Sequence, residues 1–147
     1  MNVFIGAALA IGLAWLGVII WESLIAKKSL ETMGKNPELS GFLTILTILG
    51  IALVESAAIY GLIIAFQIAW DTTGAITGAQ AVAAGLAIGI TWFGAWVWEG
   101  YLVTGAIDAI FRNPAMKTKI MISMILFLAL VESAAIYGLV IAFNILG

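Results

Sequence analysis

Val54-Glu55-Ser56-Ala57-Ala58-Ile59-Tyr60-Gly61-Leu62 is written twice in this chain, for Val131-Glu132-Ser133-Ala134-Ala135-Ile136-Tyr137-Gly138-Leu139 repeats it residue for residue. Each copy sets one carboxylic acid in the middle of an apolar segment long enough to cross a bilayer. An acid at the centre of a membrane helix costs about 2.5–3.5 kcal/mol on insertion scales, so such acids are rare and mark ion pathways and proton relays. Two of them in identical surroundings, 77 positions apart (132 − 55), point to a repeated device.

The same offset extends outward from the motif. Trp15 falls on Trp92, Trp21 on Trp98, Glu22 on Glu99, Asn36 on Asn113 and Pro37 on Pro114. Four apolar segments lie in this frame, roughly 3–25, 39–70, 79–103 and 120–146, and each meets the requirement of about 20 residues for a spanning helix. Inside lipid only a helix satisfies its own backbone without a closed barrel. The expected fold is therefore an all-α membrane protein, with four transmembrane helices as two tandem hairpins, residues 1–72 and 73–147. The polar run Asp71-Thr72-Thr73-Gly74 begins the link between them.

Composition agrees. Apolar residues make up 64 % of the 147, well above the roughly 45–50 % of soluble domains. The chain has neither Cys nor His, which excludes disulfides, thiolate and imidazole metal ligands and the usual acid–base catalyst. Met1-Asn2-Val3-Phe4 brings no basic segment before the first apolar stretch, so that stretch is expected as a retained span and not a cleaved signal. All six basic residues (Lys27, Lys28, Lys35, Arg112, Lys117 and Lys119) lie in or beside the two hairpin loops, whereas the link carries only Asp71. By the positive-inside rule both loops face the cytoplasm and both termini the opposite side. The expected surroundings are a lipid bilayer, and nucleic acid is not an expected partner.

The first helix of each hairpin carries small residues at matched places: Ala8 and Gly85, Ala10 and Ala87, Gly12 and Gly89, Gly17 and Gly94. Small residues let membrane helices approach closely. Their recurrence every two residues, about 200° of rotation, puts them on opposite flanks, as suits a helix squeezed between two like neighbours. The second helices are richer in Leu, Ile and Phe and are expected to face lipid. Identical copies are thus expected to assemble into a ring of inner and outer helices.

A second acid stands in each first helix, Glu22 or Glu99. Counted from Asn36, Glu22 is 14 residues back and Glu55 is 19 forward, about 21 and 28 Å of helix. The two acids therefore lie within roughly a turn or so of each other in depth. In low dielectric such a pair keeps a proton or takes a cation. The plainer alternative has Glu22 near the cytoplasmic interface, snorkelling towards Lys27 or the loop. Ser56 and Tyr60 share a helix face turned roughly 100–140° from Glu55, so they serve a neighbouring hairpin's acid better than their own. Carboxylate, hydroxyl and carbonyl oxygens suit a hard cation such as sodium.

Over nearly its whole length each repeat resembles the rotor-ring c subunit (the proteolipid) of F-type ATP synthases. The likeness rests on the Gly/Ala-rich first helix, the basic-Asn-Pro loop (Lys35-Asn36-Pro37 and Arg112-Asn113-Pro114) and the mid-membrane acid. It implies a ring that turns against an a-type stator subunit and docks central-stalk subunits at its loops. Catalysis then sits in a separate soluble head, with no active site and no cofactor in this chain beyond bound sodium or protons. Glu55 and Glu132 match the family's ion-carrying acid. In sodium-binding members the acid is followed by Ser, here Ser56 and Ser133, and five places on by a Tyr that steadies it, here Tyr60 and Tyr137. The resemblance further implies a first-helix ligand 33 residues before the acid, usually Gln and here Glu22 or Glu99, and the carbonyls of Leu53 and Leu130.

Several positions depart from the pattern. Ala57 and Ala134 stand where a Thr often holds a water, Val18 and Ala95 where a Pro is usual, and Lys35 where the loop usually has Arg. Tandem fusion is similar to V-type rotor subunits, which commonly keep the acid in one hairpin only. The resemblance implies a bacterial inner membrane as the location. Protons in place of sodium, a small proton-coupled drug antiporter, and a structural pore without ion coupling are the competing readings.

Overall fold

The computed structural model describes residues 2–147, save the side chains of Ala57 and Ala134. Four helices run in sequence: α1 (Val3–Lys35), α2 (Ser40–Ala69), α3 (Gly78–Arg112) and α4 (Lys117–Leu146). All four are long and apolar enough to cross a membrane. Short 3-10 turns, Pro37–Leu39 and Pro114–Met116, join α1 to α2 and α3 to α4. Two helical hairpins result, and the chain is an integral membrane protein.

α1 and α3 overrun their apolar segments by some ten residues, as far as Lys35 and Arg112. Hydropathy marks where lipid ends, but nothing in Lys27–Lys35 or Thr104–Arg112 breaks a helix. The stop comes at Asn-Pro, because proline bars the preceding residue from the α region. Asn36 and Asn113 leave it with φ near −140°. The six basic residues, expected in or beside the loops, therefore all ride on the helices that flank the turns.

The first helices form the centre. α1 packs along α3 in parallel register, with Gly6 at Ala81, Gly17 at Trp96 and Trp21 at Gly100. Farther along, Lys28 Nζ lies 2.7 Å from the Asp108 carboxylate. Parallel first helices put both hairpin turns at one end of the bundle. The approach is close enough that a Cβ on Gly6 would overlap the Ala81 backbone, and one on Gly85 the carbonyl of Gly6. Within each hairpin the repeated motif does the packing: Val54, Ala58 and Gly61 are buried towards α1, as Ala135 and Gly138 are towards α3. A Cβ on Gly61 would fall 2.6 Å from that of Ala14. Glu55 and Ser56 are thereby turned to the two flanks.

The link is ordered by its own polar atoms. The Asp71 carboxylate accepts from the Thr73 hydroxyl, from Thr73 N–H at 3.0 Å and from Ile76 N–H at 2.8 Å, and Gly74 supplies the left-handed turn at φ +68°. Thr77 and Gln80 then close a capping box on α3, worth about 1 kcal/mol. Gln80 Nε2 donates to Ile145 O at 3.2 Å and pins the start of α3 to the end of α4. The Thr73 hydroxyl first, and the Ile76 N–H next, hold the Asp71 carboxyl below its ordinary pKa. A group whose folded pKa is depressed contributes above its unfolded value and loses that contribution as pH falls through the folded one. Protection of the 75–80 amides, taken against the intrinsic exchange rate at each pH, is expected to fall below about pH 4, and in Asp71→Ala to be low at every pH. A pH-independent protection factor in the parent chain is the contrary result.

Candidate ion-carrying site between the hairpins

Ser56 Oγ lies 2.9 Å from Glu132 Oε1, a contact between the first hairpin's second helix and the second hairpin's acid. The same hydroxyl lies 2.7 Å from the Leu53 carbonyl. One hydroxyl hydrogen serves one acceptor at a time, so the arrangement draws three oxygens together without bonding them all. Glu99 comes in from α3 beside Glu132. It is 2 % exposed, and its Oε2 has no hydrogen-bond partner. A buried acceptor left without a partner is uncommon and calls for a proton or a cation. The resulting seat has two carboxylates, a hydroxyl and a carbonyl, all oxygen.

Tyr60 joins the same junction differently from expectation. Its ring stacks on Trp92 at 5.1 Å between centroids, and no hydrogen bond from its hydroxyl to an acid is present among the described residues. Tyr60 thus braces the wall of the seat through the ring. Trp92 and Trp96 are fully buried beside it, with indole N–H groups unpartnered.

The other set is split. Glu22 stands beside Glu55 as Glu99 stands beside Glu132, and Lys27 turns to Glu31 at 3.9 Å, so Glu22 does not pair with it. Glu55 is exposed on one flank of the chain. Ser133, which donates to Leu130 O at 2.7 Å, and Tyr137 at 72 % exposed lie on the opposite flank. One such oxygen cluster and two complementary halves are found among the described residues. Lys35, Asn36, Pro37, Arg112, Asn113 and Pro114 sit at the two turns, far along the helices from the acids. The Thr position of the family pattern falls on the side chains of Ala57 and Ala134, outside the described residues.

Residues that meet between the hairpins have counterparts exposed on the outer flanks. Counterparts of Leu13 and Trp21 on α3 are Ile90, 62 % exposed, and Trp98, 65 % exposed; those of Ala81 and Trp96 on α1 are Phe4 and Ile19, also exposed. Gly12 and Gly94 face open space. Sequence reading missed Trp92 and Trp96 as part of the site. Trp92 had a signal, its repetition as Trp15, whereas Trp96 has none because its counterpart is Ile19.

Comparison with known proteins gives the same picture. Residues 5–68 and 82–145 each match the family of the ATP synthase c subunit. The ATP synthase c subunit of Syntrophobacter fumaroxidans is 43 % identical over 63 residues, covering 43 % of this chain and 70 % of that one. Its counterpart from Bacillus thuringiensis is 45 % identical over 62 residues, covering 42 % and 86 %. With both halves matching, the chain belongs to the ATP synthase c subunit family as a tandem duplication of its hairpin, a membrane rotor subunit without a catalytic centre of its own.

Proposed function

We propose that this chain carries sodium on paired membrane carboxylates, as part of a ring of identical copies that couples ion passage to ATP synthesis or hydrolysis. The carrying observation is the Ser56–Glu132 contact across the hairpins, with the buried, unpartnered Glu99 oxygen beside it. Glu132, Glu99, Ser56 and the Leu53 carbonyl make one seat, with Tyr60 at its wall. Glu55, Glu22, Ser133, the Leu130 carbonyl and Tyr137 make the other when a second copy docks. An all-oxygen set with two acids is the chemistry of a hard cation, and a proton retained between the acids balances the second charge.

The ring is supported by the flanks. The two hairpins meet through unlike faces, and each face has an exposed counterpart on the far side of the chain; such a head-to-tail interface propagates and closes when its rotation allows. The functional units are residues 1–72 and 73–147. Lys35-Asn36-Pro37 and Arg112-Asn113-Pro114 face the central stalk, while Glu55 and Glu132 pass an a-type stator in turn. The basic residues flanking the turns support turns in the cytoplasm and termini on the opposite side, and the proposed membrane is a bacterial inner one. Protons are the second reading, since the same two acids can pass a proton with no cation present. The parallel hairpins speak against the small antiporter.

A carboxyl-reactive carbodiimide is expected to label Glu55 and Glu132 in membranes, and sodium is expected to slow the labelling at constant ionic strength. Labelling that responds to pH and ignores sodium makes the ion a proton.

A further inference from the structure

We propose that the ring alternates two unlike junctions, a tight one inside each chain and a wider one between chains. The Glu99–Glu132 and Glu22–Glu55 seats are then held at different helix spacings. This rests on the ring reading above, and the repeat itself supplies the geometry. Inside the chain five glycines at the α1–α3 contact leave no room for a Cβ; Gly17 and Gly89 keep glycine counterparts in Gly94 and Gly12, whereas three do not: Gly6 against Ala81, Gly85 against Gly6, and Gly100 under the Trp21 indole. At the junction between copies the counterparts of these glycines are Ala83, Ala8 and Ser23. Each brings the Cβ that the internal junction excludes. Ala83 would overlap the next copy's α1 backbone at Phe4, and Ala8 of that copy would overlap the carbonyl of Ala83.

Backbone cannot yield as a side-chain tip can, so the helices stand farther apart. Ser23 has the same effect one residue from Glu22, placing a side chain where Trp98 would otherwise lie flat. The difference therefore reaches the depth of the acids. Two further exchanges follow the same division. The Lys28–Asp108 ion pair of the internal junction has Gly105 and Glu31 as its counterparts, so that pair is lost between copies. Gly50, whose Cβ would lie 2.7 Å from a Val103 methyl, is replaced by Phe127 facing Ala26, a large side chain filling a wider gap.

Electron cryo-microscopy of rings extracted from native membranes in mild detergent tests this directly. Packed helices lie roughly 8–10 Å apart; the internal α1–α3 spacing is expected near the lower limit and the spacing between copies about 1–2 Å greater. Equal spacings overturn the proposal and leave the ring standing, whereas particles without a ring overturn both. The variant Ala8→Gly, Ala83→Gly, Ser23→Gly is expected to bring the wider junction in towards the internal one. An unchanged gap in an intact variant ring overturns the assignment to these three side chains.

Discussion

Replacing Glu132 by Gln is expected to bring ion-driven ATP synthesis in inverted membrane vesicles down to background, and Glu55→Gln to do the same alone. Gln keeps the shape and an acceptor oxygen but removes the charge that makes the seat bind and release an ion. In the rotor reading the seats pass the stator one after another. A single substitution disables every second seat, and rotation stalls at the first of them. The Ser56 contact persists in Glu132→Gln, because the hydroxyl still finds an amide oxygen in place of Oε1, so the loss belongs to charge and not to folding. Glu22→Gln with Glu99→Gln should behave otherwise and keep sodium protection against carbodiimide while losing the retained proton. Synthesis at half the parental rate or more in Glu132→Gln would remove this acid from the coupling path.

Gly85→Leu is expected to be the most damaging change outside the acids. Its Cβ alone overlaps the Gly6 carbonyl, and overpacking a close interface costs about 1–3 kcal/mol or more. In this position the cost falls on the α1–α3 contact that aligns Ser56 with Glu132. The oligomer expected from the proposed ring should then be missing from membrane extracts, with little folded chain left. Gly34→Ala is the matched control: Gly34 is exposed in the last turn of α1 and meets nothing within 4 Å, so an added methyl is expected to change little. Equal oligomer yields from the two variants would mean that close approach at Gly85 does not hold the hairpins together.

Much of the fold is legible because lipid writes a strong signature. A run of apolar residues near the bilayer's thickness, interrupted by one acid and repeated at a fixed offset, leaves few architectures open. The helix angles around Glu55 likewise put Ser56 on the other flank with no neighbour in view. What hydropathy does not carry is the last ten residues of α1 and α3, since it reports where lipid stops and not where the backbone does. Nor does it carry rotation about the helix axis. The stacking of Tyr60 on Trp92, the seating of Trp96 over Gly17 and the orphan oxygen of Glu99 all depend on which flank of α3 faces α1. Those contacts join residues some 32 to 79 positions apart, with no local pattern to announce them.

The Lys28–Asp108 pair is the instructive case. In sequence Lys28 is one of several charges near a loop and Asp108 has no marked neighbour; only the parallel register of α1 and α3 makes them partners. Their side chains are about one-third to two-fifths exposed, so the pair contributes at most a modest amount to stability. Its worth is in register, because a slip of one helical turn would part the two charges.

The ordered link from Asp71 to Thr77 has one more outcome. In the ring proposed above hairpins are never added singly, so a ring of whole chains carries an even number of ion seats. In gearing terms the tooth count moves only in steps of two, and so does the number of ions spent per revolution. A lineage with this fusion can retune its drive only coarsely, by gaining or losing a full chain.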